Sequence, residues 1–186
     1  MGKKPSKIEK IAYHEAGHAV ACHLLRRAFT RVSIIPDDDS LGRVEYPKIR
    51  VKGLDFEKLD EDPVEQLLIR EKLEKRLERR KEKEILISFS GVIGEKNCGR
   101  HNWRRASRYI NTAIDLHEAG SDEETNAYLN WLWWRAVGMI TNPYNWELVT
   151  AVGNELLIKK ELSCRNVKKI IKTITMAIYR CGKLLT

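Results

Sequence analysis

The ten residues Ala12-Tyr13-His14-Glu15-Ala16-Gly17-His18-Ala19-Val20-Ala21 constrain the fold more than any other stretch of this chain. They are mostly small, and two histidines and a glutamate are set among them. Just upstream, Ser6-Lys7-Ile8-Glu9 reads as a capping box, with Ser6 as N-cap and Glu9 at the third helical position. The pattern predicts a helix running from there to about residue 27. Ala12, Ala16, Gly17, Ala19 and Ala21 would let a second backbone approach closely, as in a central, packed helix.

On such a helix, residues four apart stand one above the other. With His14 at 0°, His18 falls at about 40°, Ile11 at about 60°, Cys22 at about 80° and Glu15 at about 100°. The polar trio therefore shares its face with apolar neighbours, and that face should be buried. Burying two imidazoles and a carboxylate is costly unless they pair or hold an ion. Two neutral imidazoles one turn apart suit zinc, and a carboxylate beside them can take a proton from water on the metal. His14 and His18 are thus candidate zinc ligands and Glu15 the candidate general base. Cys22 lies a further turn on. Three ligands at 14, 18 and 22 would span about 12 Å of helix, too far for one ion, so Cys22 reads as core filler.

Downstream, Arg31-Val32-Ser33-Ile34-Ile35-Pro36 is a β-branched run, Asp37-Asp38-Asp39-Ser40 a turn, and residues 41–51 extended, with Pro47 marking an edge strand or break. After an acidic linker at 55–63, a long helix is expected over residues 63–98, charged and solvated in its middle and apolar at its end, with Gly99 as its stop. Further helices are expected over residues 102–119, 122–140, 143–160 and 163–181. The fold class implied is α+β and mainly α-helical: a zinc helix with a small antiparallel β element (1–54), then a C-terminal helical bundle (63–186), all one domain. The tryptophans at 131, 133 and 134 read as helix packing, with a partner surface as the rival. Two basic strips, Arg104, Arg105 and Arg108, and Lys168, Lys169 and Lys172, read as solvated faces.

The bulk numbers narrow the classes. At 186 residues and 42% hydrophobic, the chain can bury a core of its own. The net charge of +8 permits acidic partners, but no nucleic-acid motif accompanies it, so nucleic acid is not an expected ligand. Four cysteines without a C-x-x-C pair argue against a zinc ribbon and for free thiols. No secretory signal is visible, and the longest apolar run, residues 85–93, is too short to span a bilayer. The expected setting is cytoplasmic, with no membrane insertion.

Tyr13-His14-Glu15-Ala16-Gly17-His18-Ala19-Val20, then Val32-Ser33-Ile34-Ile35-Pro36, then Leu41-Gly42, resemble the peptidase domain of FtsH-type ATP-dependent zinc proteases. Ser90-Gly91-Val92-Ile93-Gly94-Glu95 resembles that family's "GGxxAE" segment. The resemblance covers residues 6–46 and 85–118 in pieces. It implies a zinc metallopeptidase acting on peptide or protein substrate, here as a stand-alone version without the family's ATPase and membrane segments. No G-x-x-x-x-G-K-[ST] occurs, so a separate unfoldase partner or accessible substrates would be needed, and a homo-oligomer is compatible with the family.

The family's third zinc ligand is an aspartate, and the matching position here is Asn102. Asn102 shares a helix face with Ala106, Tyr109 and Ala113, whereas His101 shares one with Arg105, Arg108 and Thr112. A neutral amide is a weaker ligand than a carboxylate. Asn102, His101, another carboxylate or water remain open as the group that completes the site. Peptide hydrolysis would follow from Glu15 deprotonating the water and later protonating the leaving amine. The strand carrying Leu41, Gly42 and Val44 would bind extended substrate by β-addition. The alternative function is a catalytically impaired zinc-binding or metal-free homologue serving as a basic binding or regulatory module.

Overall fold

A computed structural model describes residues 5–37, 40–47, 63–95 and 121–183. Helix α1 (Lys7–Leu24) is followed by strands β1 (Arg31–Ser33) and β2 (Arg43–Glu45), the long helix α2 (Pro63–Gly94), helices α3 (Asp122–Thr141) and α4 (Pro143–Lys159), strand β3 (Glu161–Ser163) and helix α5 (Cys164–Lys183). The architecture is mainly helical with a small three-stranded antiparallel sheet.

The capping box of α1 is present: Ser6 Oγ accepts from the Glu9 amide, and the Ser6 amide donates to Glu9 Oε2 at 2.7 Å. The helix stops at Leu24, three residues short of the expected end. Arg26 adopts φ 55°, and the amides of Arg27 and Arg26 donate to the carbonyls of Cys22 and His23, at 2.8 and 3.2 Å. This is a Schellman closure with arginine where glycine is usual.

α1 is the central helix. Ala12, Ala16, Ala19, Val20 and Ala21 have no exposed surface. The C-terminal part of α2 crosses one side of it so closely that a Cβ on Gly17 would lie 2.2 Å from the Ser90 carbonyl oxygen. A Cβ on Gly94 would lie 2.4 Å from the Tyr13 carbonyl oxygen. α4 packs on another side, where Gly153 meets the face of the Tyr13 ring and the Tyr13 hydroxyl donates to Asn154 Oδ1 at 2.9 Å. Ile85, Phe89 and Ile93 of α2 and Leu148, Val152 and Leu156 of α4 close the core around α1. The middle of α2 is exposed and carries i,i+4 pairs such as Lys75–Glu71 and Arg80–Glu84.

The sheet order is β2-β1-β3, with Val32 opposite both Val44 and Leu162. Arg31 on the central strand bonds Glu45 on one neighbour and Glu161 on the other. β3 is an addition to the two strands expected. Lys160 turns left-handed (φ 65°) at the end of α4, and its carbonyl accepts from the Ile34 amide at 2.9 Å. Three residues then suffice to pair with β1 before α5 begins. α2 ends at Gly94, not in the upper nineties; Gly99 and the expected helix over 102–119 lie outside the described residues. On α3, Trp133 is buried edge-on against Phe89 at 5.4 Å, whereas Trp131 and Trp134 are exposed. No helix among the described residues is long and apolar enough to cross a membrane.

Candidate metal centre

The 3.6-residue period sets His14 and His18 one turn apart on α1, and their rings meet edge to face with centroids 4.7 Å apart. Each ring is held through Nδ1. His18 Nδ1 is 2.7 Å from the Ile87 carbonyl oxygen; a carbonyl only accepts, so the proton is on Nδ1. His14 Nδ1 is 3.1 Å from Glu95 Oε1. Both Nε2 atoms face Gly91 of α2: a Cβ there would lie 2.3 Å from Nε2 of His18 and 2.9 Å from Nε2 of His14. Two ring nitrogens therefore converge beside one backbone atom that carries no side chain.

Burial and the adjacent His14 push the His18 pKa down to about 3, although the bond to Ile87 opposes this. A pKa this low leaves His18 uncharged at neutral pH, and its Nε2 has no hydrogen-bond partner among the described residues. An imidazole fixed by a carbonyl or carboxylate at one nitrogen and bare at the other is how proteins prepare histidine for a metal. The donor set fits two of the ligands of a zinc ion. Among the described residues no group of three or more His, Cys, Asp or Glu side chains could hold a metal, and Asn102 and His101 lie outside them.

Glu15 is 5% exposed, and its Oε2 has no hydrogen-bond partner among the described residues. Burial raises its pKa to about 7, with the nearby His14 pulling the other way. A carboxyl held near neutrality in a cleft is suited to taking and returning a proton. The β2 side of the cleft lies directly against it. A Cβ on Gly42 would come within 2.9 Å of Glu15 Cγ and of Ile11 Cγ2, so glycine lets this segment pass over the carboxylate.

The cleft encloses about 380 Å³. His14 and Glu15 form its inner end with Glu95, and Leu41 and Gly42 lie along one wall. Val44, expected with them, instead packs half-buried against the core from β2. Cys22 is buried with its Sγ 3.8 Å from the Tyr46 hydroxyl, and burial pushes its thiol up to about 11, which leaves it a core residue. Sequence reasoning missed the Ile87 carbonyl and the roles of Glu95 and Gly91. The last two were signalled only as letters of a segment, since nothing in their spacing from α1 says that the two helices cross there. No family model and no curated protein matches the chain.

Proposed function

We propose that this protein is a zinc metallopeptidase that resembles the peptidase domain of FtsH-type proteases. The observation that carries the reading is the convergence of two imidazole Nε2 atoms, each ring fixed from behind through Nδ1, next to a buried carboxyl whose Oε2 has no hydrogen-bond partner among the described residues. A purely structural helix has no use for two oriented lone pairs facing a glycine.

His14 and His18 would hold the ion, and zinc bound there would polarise a peptide carbonyl and acidify the attacking water. Glu95 and the Ile87 carbonyl keep the two rings in register and their protons on Nδ1. Glu15, one residue on from His14, takes the proton from the water on Oε2 and returns it to the leaving amine. Its burial excludes competing solvent, and a nearby cation would favour its ionised form over the neutral one. Among the described residues β2 pairs on one side only, with β1. An extended substrate paired to its other edge would run past Gly42 and the carboxylate.

The test is zinc analysis of the purified protein together with Glu15→Gln. Near-stoichiometric zinc and hydrolysis of unstructured peptides are expected in the native sequence. The variant should keep its zinc and lose hydrolysis by about 100-fold or more, the usual scale for a general base. Absence of bound zinc, or undiminished hydrolysis in the variant, would end the peptidase reading. Asn102→Asp tests the third ligand: a carboxylate at that position should tighten zinc binding, and an unchanged affinity would remove residue 102 from the site.

A further inference from the structure

The cleft has a second end that the hydrolytic chemistry leaves unused. α1 carries Lys7, Lys10 and Ile11 one to two turns ahead of His14, and all three line the same cleft. At 1.5 Å per residue, Lys10 stands about 6 Å along the axis from His14, and Lys7 about 10 Å. Both lysines are exposed and take part in no ion pair among the described residues. Between them and the reactive end the walls are apolar, formed by Ile11 and by Leu41, which is 49% exposed. The cleft is thus graded along its length: cations at one end, hydrocarbon in the middle, and at the other end the His14 imidazole and Glu15, whose Oε2 has no hydrogen-bond partner among the described residues.

We propose that this cleft selects peptides carrying a carboxylate, which docks on Lys7 and Lys10 while an apolar stem crosses Ile11 and Leu41. The proposal deepens the peptidase reading and rests on it for the bond that is cut, but not for the binding itself. The carboxylates already lining the cleft do not cancel the lysines. Glu95 is turned to the His14 ring at 3.1 Å, and Glu15 is buried one helical turn or more beyond the lysines, with its Oε1 beneath Gly42. The anionic group of a bound peptide could be a glutamate side chain or the C-terminal carboxylate, and both match a cation separated from the reacting carbonyl by a short apolar span. A charge-assisted contact to a lysine at a partly open site discriminates about tenfold, which is about 1.4 kcal/mol.

Binding is measured by calorimetry on the zinc-loaded Glu15→Gln protein, so that no cleavage intervenes. The probes are hexapeptides with Glu, Gln or Lys at one central position, each with a free or an amidated C-terminus. The Glu or the free-acid peptides are expected to bind about tenfold tighter than their neutral counterparts. Superiority of Glu over Gln in the amidated series assigns the side chain; loss of all preference on amidation assigns the terminus. Adding Lys10→Glu should reverse the order in favour of the Lys peptide. Equal affinities across the series, no binding of any probe, or a preference that survives Lys7→Glu/Lys10→Glu would overturn the proposal. Selective binding without hydrolysis by the native protein would leave this docking site standing and remove the peptidase reading. Hydrolysis without charge preference would do the opposite.

Discussion

Gly91 is the residue on which the proposed metal centre turns. His18 cannot swing freely away from an added methyl, because its half-buried ring is tied by Nδ1 to the Ile87 carbonyl at 2.7 Å. Gly91→Ala would therefore drive a Cβ to within 2.3 Å of Nε2 and 2.4 Å of Cε1 of His18. The ring must shift, and overpacking of this kind costs roughly 1–3 kcal/mol. Zinc affinity should fall at least about tenfold, the scale seen when groups supporting metal ligands are altered. Competition with a chromogenic chelator measures this, with helix content by circular dichroism as the control. Unchanged affinity in a folded variant would mean that the two nitrogens do not share an ion. His14, Glu15 and His18 were legible in the sequence because one helix carries all three, and periodicity alone brings them together. Glu95 and the Ile87 carbonyl were not, because they reach the histidines from a helix some 70 to 80 positions away, across a contact that no local pattern encodes.

At the scale of elements, small-residue packing was the readable part. Alanines and Gly17 on α1 announced a close neighbour, and α2 supplies it through Gly91 and Gly94. Ends and short strands were less readable, since they depend on single backbone conformations. α1 closes at Arg26, an exposed non-glycine residue in the left-handed region, where the sequence contains no stop signal. Left-handed backbone costs a side-chain-bearing residue roughly 1 kcal/mol, which glycine avoids in part at an unfolded-state entropy cost. Arg26→Gly should therefore stabilise the protein by about 0.5 kcal/mol, read as a higher urea midpoint with unchanged slope. A lower midpoint would show that the arginine side chain contributes more than its backbone costs. β3 escaped notice for a related reason. Three residues are too few to display a period of two, and Leu162 is the only one of them that is buried.

For the whole molecule, the buried pair of Glu15 and His18 links stability to pH and to metal. In zinc-free protein the His18 pKa drops from 6.5 to about 3 on folding, so below pH 6.5 the unfolded chain binds a proton that the native state refuses. By itself this lowers stability as pH falls from 6.5 to 3. Glu15 rises from 4.5 to about 7, so above pH 4.5 the native state keeps a proton that the unfolded chain has lost. This lowers stability as pH rises from 4.5 to 7. Between 4.5 and 6.5 the two slopes cancel, and the pair should contribute no pH dependence there. Glu15→Gln removes one slope. Relative to the native sequence, the variant should gain about 3 kcal/mol as pH climbs from 4.5 to 7, at 1.36 kcal/mol per unit. Denaturant titrations in the presence of chelator give the difference curve, and a flat one would mean that the Glu15 carboxyl is not held neutral by burial. Zinc bound at the proposed site would act on the same balance from the native side. At free zinc about 100-fold above its dissociation constant, the native state gains about 2.7 kcal/mol, roughly 5–10 °C in Tm for a chain of this length. His18→Gln should abolish that gain, because a single imidazole leaves the ion too few donors. A zinc-dependent rise in Tm that persisted in this variant would place the metal elsewhere in the molecule.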